Sequence, residues 1–137
     1  LQHKEADDFV LATGETRTVR EFAELTFMNL GIELDWKGKG ENEKGHIKSI
    51  DLEKAKKLIN YSSNKRSYLK NFTQKLKKSD TLIAIDPNYY RPTEVDLLIG
   101  DPTKAKKVLG WKAKTKFEDL VKLMIKADMD KVLRRGF

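Results

Sequence analysis

Arg91 and Glu94 are the residues of this 137-residue sequence whose types and spacing best suit ligand chemistry. A guanidinium group can donate two parallel hydrogen bonds to phosphate oxygens, and a carboxylate can accept hydrogen bonds from paired hydroxyls such as those of a ribose. Pro92 fixes its own φ and biases Arg91 toward an extended conformation, so a stiff loop would present the pair. The pattern fits a nucleoside diphosphate. It also fits an exposed ion pair beside two packing tyrosines, which is the commoner arrangement on protein surfaces.

The elements that follow this loop carry clear helix signals. Asp101 is a natural N-cap, Pro102 fits the first helical position, and Gly110 ends the helix. A capping box at Thr115 and Glu118 predicts a longer helix to about residue 133. The inward face of that helix is predicted from three apolar positions, Leu120, Met124 and Ala127, with Val121 and Ile125 less regular.

The sequence before this loop predicts both strands and helices. The run 9–12 is apolar and closed by Gly14, which predicts a buried strand ending in a turn. Thr18 and Glu21 form a capping box for a helix that ends near Gly31. Further along the chain, alternation predicts a strand at 32–36, helical composition predicts a helix at 51–60, and a short apolar run predicts a strand at 81–85. Strands separated by helices indicate a small mixed α/β domain.

Charge and composition limit the function classes. The net charge is +7, and much of the excess falls between residues 44 and 78. The aromatic residues Tyr61, Tyr68 and Phe72 lie among those lysines and could stack nucleic-acid bases, although such a run is more often a solvated surface. With no cysteine and two histidines far apart in sequence, neither disulfides nor a structural zinc site is predicted. No apolar run reaches the roughly 20 residues of a membrane helix, so a cytoplasmic location is expected.

Three blocks of the sequence resemble the carboxyl-terminal portion of GDP-mannose 4,6-dehydratases, members of the extended short-chain dehydrogenase/reductase group. They occur in the order of that family and cover well over half of the chain. The blocks are DDFVLATGETRTVREF at 7–22, WKGKGENEKG at 36–45, and the run from IDPNYYRPTEVDLLIGDPTKAKK through WKAKTKFEDLVKLMIKADM at 85–129.

The resemblance implies an enzyme that converts GDP-D-mannose to GDP-4-dehydro-6-deoxy-D-mannose with NADP, on the route to GDP-fucose. It implies that Arg91 contacts the nucleotide diphosphate and that Glu94 contacts the ribose. Residues 1–137 would form the substrate-binding domain, with a basic insertion at about 48–80. NADP would be bound by an amino-terminal Rossmann half that is absent from this sequence. A homo-oligomer is expected for the complete enzyme, without a membrane partner, and nucleic acid is not the expected ligand.

Two departures from the family pattern affect this interpretation. No G-x-G-x-x-G turn occurs, and the single Tyr-x-x-x-Lys match, Tyr61 to Lys65, lies in the lysine-rich stretch, where chance explains it. No catalytic residue is therefore assigned, and the isolated chain is expected to be inactive. Two alternatives stay open: another sugar-nucleotide epimerase or reductase of the same group, and a non-enzymatic basic module that binds nucleic acid.

Overall fold

The structure is a computed structural model that describes residues 6–51, 53–54, 75–91 and 98–135. Within these residues, the α-helices and strands follow in the order α1, β1, β2, β3, α2 and α3, with these bounds: α1 Val19–Asn29, β1 Ile32–Lys37, β2 Lys44–Ile50, β3 Thr81–Ala84, α2 Thr103–Leu109 and α3 Phe117–Arg135. The mixed α/β class that the sequence predicts is confirmed.

The three strands form an antiparallel sheet in the order β1-β2-β3. Strand β2 is a correction to the sequence prediction, which placed its residues at the start of the basic stretch. Its apolar signal is weak, because Ile47 and Ile50 are accompanied by lysines and by Gly45. Gly45 nevertheless has a packing role: a Cβ atom there would lie 3.2 Å from the ring of Trp36 on β1. The absence of a side chain at Gly45 lets the indole lie across the strand pair.

The apolar core lies where α1 packs against β1 and against α3. Ile32 and Ile47 bury their side chains from the sheet, and Val121 and Ile125 bury theirs from α3. Val121 and Ile125 are one helical turn apart, so they share one face of α3. Helix α1 thus packs against both the sheet and α3.

Helix α1 has the ends that its sequence predicts. The Thr18 hydroxyl accepts a hydrogen bond from the Glu21 N–H at 3.0 Å, and the Glu21 carboxylate accepts one from the Thr18 N–H at 2.6 Å. After the helix, Gly31 has a φ of 76° and donates its N–H to the Met28 carbonyl at 3.0 Å. The capping box and the closing glycine are confirmed.

Two burial predictions are wrong. Residues 9–12 form no strand, and Val10 and Leu11 are more than half exposed. In α3 the predicted inward positions Leu120, Met124 and Ala127 are exposed, whereas the positions judged less regular are the buried ones. In both places the sequence carries apolar side chains that no layer of the described residues covers.

Several predictions fall on residues 55–74, outside the described residues. They include most of the helix at 51–60, the Tyr61–Lys65 pair and the aromatic residues of the basic stretch. The insertion at about 48–80 also stays a prediction there, but Lys48–Ile50 belong to β2, and Ser49 and Ile50 pair with β1. Among the helices of the described residues, none combines the length and the hydropathy needed to cross a membrane.

Helix α2 begins at Thr103, one residue later than predicted, and ends at Gly110, which has a φ of 65°. The Asp101 carboxylate accepts hydrogen bonds from the Thr103 hydroxyl at 2.5 Å and from the Thr103 N–H at 2.9 Å. These two bonds, the hydroxyl first, lower the pKa of Asp101. The prediction of Asp101 as the N-cap is therefore wrong by one position, because Pro102 stands at the N-cap, but the Asp101 side chain still bonds the first helical residue.

Because the pKa of Asp101 is lower in the folded state, its charge stabilises the fold above the unfolded pKa of about 3.9. That contribution is lost as the pH falls through the lower folded value. We expect Asp101→Asn, which keeps an oxygen acceptor but does not titrate, to make the melting temperature fall less steeply between about pH 5 and pH 2. Asp101→Ala, which removes the acceptor, should lower the melting temperature throughout. Identical pH profiles for the asparagine variant and the unsubstituted protein would show that the charge of Asp101 does not stabilise the fold.

Candidate functional site

The candidate site includes a turn that joins β1 to β2 and that depends on two glycines. Gly38 and Gly40 have φ values of 88° and 57°, a region that residues with a side chain rarely adopt. A Cβ atom on Gly38 would collide with the carbonyl oxygen of Asn42. The turn closes through two backbone bonds, from the Asn42 N–H to the Lys39 carbonyl at 3.2 Å and from the Glu43 N–H to the Gly40 carbonyl at 3.1 Å.

Side chains of α1 hold this turn from one side. Arg20 forms an ion pair with Glu43, the residue that follows the turn, and its guanidinium lies 5.2 Å from the centre of the Trp36 ring. The Trp36 indole N–H donates to the Glu24 carboxylate at 2.7 Å. An aromatic ring, a stacked cation and two carboxylates thus fix the orientation of the turn relative to α1. Sequence reasoning missed this cluster, because its members are separated by up to 23 positions.

The loop at 86–91 lies over the turn. Asp86 fixes the start of the loop: its carboxylate accepts the Asn88 N–H at 2.9 Å, and its carbonyl accepts the Tyr89 N–H at 3.0 Å. Tyr90 is half-buried, and its hydroxyl would be 3.6 Å from a Cβ atom on Gly40. The two tyrosines that look equivalent in the sequence therefore differ, since Tyr90 packs on the turn and Tyr89 is 82% exposed.

Arg91 follows Tyr90 directly and is exposed. Its position is set by the half-buried tyrosine before it and by the aspartate turn at the start of the loop. Glu94, the second predicted site residue, lies outside the described residues. Arg91 thus follows a tyrosine that contacts the glycine turn, and the pairing of Arg91 with Glu94 at one site stays a prediction.

Other polar clusters in the described part of the chain do not suggest a metal or catalytic centre. His46 Nδ1 lies 3.1 Å from the Thr81 hydroxyl and 3.3 Å from the Ser79 carbonyl, so it links β2 to the start of β3. No group of three or more histidine, aspartate or glutamate side chains could hold a metal ion there. A cavity of about 210 Å³ lies elsewhere, beside α2, and its lining includes Thr13, Lys106 and Trp111 but no residue of the loop at 86–91.

Comparison with known proteins gives one consistent result. The family model described as GDP-mannose 4,6 dehydratase matches residues 1–124. Among curated relatives, the chain is 42% identical over 130 residues to a GDP-mannose 4,6 dehydratase of Dictyostelium discoideum, an alignment that covers 95% of this chain and 29% of the relative.

A human relative and a bacterial relative agree. The chain is 40% identical to a GDP-mannose 4,6 dehydratase of Homo sapiens, over 95% of this chain and 27% of the relative. It is 38% identical to a GDP-mannose 4,6-dehydratase of Vibrio cholerae serotype O1, over 95% of this chain and 30% of the relative. The chain thus spans less than a third of the length of the curated relatives that it matches.

Proposed function

This chain belongs to the GDP-mannose 4,6-dehydratase family, and we propose that it is the substrate-binding part of such an enzyme, acting on GDP-D-mannose. One observation carries the proposal. Two separate blocks of family-like sequence meet in space, because Tyr90 of the third block lies on Gly40 of the second. Their meeting presents Arg91 at the surface of a fixed loop.

Arg91 is proposed to bind the diphosphate of the substrate. A guanidinium has a planar fork of donors that matches two phosphate oxygens, and it stays charged at every physiological pH. A loop held by the Asp86 turn and by Tyr90 loses little freedom on binding, so less of the interaction energy is spent on ordering it. Tyr89, exposed two positions before Arg91, offers an aromatic face to the same ligand.

Glu94 is proposed to accept hydrogen bonds from the ribose hydroxyls. The carboxylate has two oxygens and can take both hydroxyls of a cis-diol at once. Two residues three positions apart in sequence lie at most roughly 10 Å apart, so their side chains can reach the neighbouring diphosphate and ribose of one nucleotide. The spacing of Arg91 and Glu94 therefore suits one ligand held at two points.

The residues of this chain do not fit NADP. A dinucleotide-binding turn needs G-x-G-x-x-G between a strand and a helix. The G-x-G at Gly38–Gly40 is followed by Glu43 instead of a third glycine, and it joins two antiparallel strands. We propose that the cofactor, which supplies the hydride chemistry in such enzymes, is bound by a part of the protein that this chain does not contain. The role of this chain is to bind and orient the sugar nucleotide.

The nucleic-acid alternative rests on the net charge of +7. Proteins that bind nucleic acid by charge lose affinity steeply as salt rises, whereas one diphosphate engages few charges and responds modestly. The other alternative is a different sugar-nucleotide epimerase or reductase, and those members whose sugars are carried by another nucleotide predict a preference for that nucleotide over GDP.

Calorimetric titration of the complete protein with GDP, GMP, UDP and a short single-stranded oligonucleotide tests the proposal. We expect saturable binding of GDP, weaker binding of GMP because one phosphate is missing, and weaker binding of UDP. We expect GDP affinity to change little between low and physiological salt. Preference for UDP would favour the other sugar-nucleotide enzymes. Absent GDP binding together with steeply salt-dependent oligonucleotide binding would replace the proposal with the nucleic-acid alternative.

A further inference from the structure

The cavity of about 210 Å³ beside α2 lies apart from the candidate nucleotide site. A Cβ atom on Gly14, which has a φ of 74°, would lie 3.9 Å from Cδ of Pro102, so the chain before Gly14 lies against the start of α2. The Lys116 ammonium lies 3.5 Å from the Glu15 carboxylate and links the start of α3 to the same region. Three stretches therefore meet around the cavity: residues 12–13, one face of α2 with Pro102 before it, and residues 111–116.

Local geometry brings two lysines to this cavity. Lys106 is one helical turn after Pro102, so the two residues lie on one face of α2, and both line the cavity. The backbone fixes this turn, because the Lys106 N–H donates to the Pro102 carbonyl at 2.9 Å. Gly110 then ends α2 in the left-handed region, and the Trp111 N–H bonds back to a carbonyl of α2 at 3.3 Å. Trp111 and Lys112 therefore line the same cavity as Lys106.

The lining of the cavity is cationic where it is exposed and apolar where it is half-buried. Its exposed residues are three lysines and two threonines, and its half-buried residues, which include Trp111, are apolar. Lys116 shares its charge with Glu15. Lys106 and Lys112 have no ion-pair partner among the described residues, and no carboxylate belongs to the described lining. Such a concave group of like charges attracts an anion.

The size of the cavity limits this anion to a small molecule, because pockets that hold drug-sized ligands have volumes of roughly 300–1,000 Å³. A phosphate monoester carries about −1.5 to −2 charges at pH 7 and has three acceptor oxygens, which suit two ammonium groups and a hydroxyl. A small organic group on the phosphate can pack on the Trp111 ring. We propose that this cavity binds a small phosphate monoester, held by Lys106 and Lys112 beside Trp111, at a site separate from the loop at 86–91.

Calorimetric titration of the complete protein with phenyl phosphate tests this site. Phenol, which has the ring without the charge, is the control probe. We expect saturable binding of phenyl phosphate, weaker binding of inorganic phosphate because it lacks the ring, and no binding of phenol. If phenyl phosphate does not bind saturably, the proposal is overturned.

Neighbouring lysines locate the bound probe. Lys106→Gln and Lys112→Gln should each weaken phenyl phosphate binding by about tenfold, because each removes a charge-assisted hydrogen bond. Lys107→Gln and Lys114→Gln remove the same charge from exposed positions outside the lining, and they should change the affinity by less than about twofold. Equal losses in all four variants would indicate a diffuse basic surface and would overturn the proposal.

A footprint on the unsubstituted complete protein tests the site without any variant. Saturating phenyl phosphate should slow the acetylation of Lys106 and Lys112, measured by peptide mapping, and should leave Lys107 and Lys114 unaffected. Equal acetylation of Lys106 and Lys112 with and without the probe would contradict the proposal.

GDP separates this inference from the proposed function. A saturating concentration of GDP should leave the affinity for phenyl phosphate unchanged, since GDP is proposed to bind at Arg91. Competition between the two ligands would overturn the separate site. If GDP does not bind but the lysine variants behave as expected, the proposed function fails and the phosphate site stands.

Discussion

Replacing Arg91 with lysine in the complete protein should weaken GDP binding by about 5- to 150-fold, or about 1–3 kcal/mol. Lysine keeps the positive charge but loses the planar fork, so one of two parallel hydrogen bonds to the diphosphate cannot form. The salt dependence of binding should change little, because the charge is retained. Calorimetric titration measures both quantities.

Three comparisons make this result specific. Arg134→Lys, the same chemical change on exposed α3, should leave GDP affinity unchanged. Glu94→Gln should cost less than Arg91→Lys, since an amide oxygen still accepts a hydrogen bond, and its effect should shrink with a 2′,3′-dideoxy nucleotide. The Arg91 variant should also discriminate less between GDP and GMP. Equal GDP affinities for the Arg91, Glu94 and unsubstituted proteins would remove this loop from the nucleotide site.

Replacing Gly38 with alanine should destabilise the fold by on the order of 3 kcal/mol and should also weaken GDP binding. The backbone at Gly38 has a φ of 88°, and an added Cβ would collide with the Asn42 carbonyl, which belongs to the backbone and cannot rotate away alone. The turn must therefore shift, and Tyr90, which packs on it, should shift with it. Calorimetric melting and GDP titration of the complete protein measure the two effects.

Gly40→Ala is the matched control for this prediction. Gly40 also has a positive φ, of 57°, but a Cβ there meets only the Tyr90 hydroxyl at an ordinary contact distance of 3.6 Å. We expect a smaller loss, of about 1 kcal/mol, from the backbone conformation alone. A Gly38 variant that is as stable as the Gly40 variant would show that the turn adapts without strain.

The candidate site depends on contacts that are distant in sequence. The second family-like block forms the turn, the third block forms the loop, and α1 holds the turn through the Arg20–Glu43 ion pair. Arg20 and Trp36 hold the turn in place, and the sequence next to either residue gives no sign of that role.

The local features of this protein can be predicted from its sequence alone. The Thr18–Glu21 capping box, Gly31 after α1 and Gly110 after α2 all follow from rules that involve residues a few positions apart. The alternation that predicts β1 is equally local. Family resemblance, carried by long runs of sequence, also identified the family before any geometry was known.

Strand pairing and side-chain burial depend on contacts between residues that are distant in sequence. Strand β2 forms because β1 and β3 bond to its two edges, and its own residues give little apolar signal. Hydrophobic periodicity marks apolar side chains but does not say what covers them. Leu11 and Leu120 are therefore apolar and exposed in this chain, while Val121 is buried. Likewise, Tyr90 is half-buried and Tyr89 exposed because Tyr90 contacts Gly40, some 50 positions earlier in the sequence. Packing acts between residues that meet in space, whatever their distance along the chain.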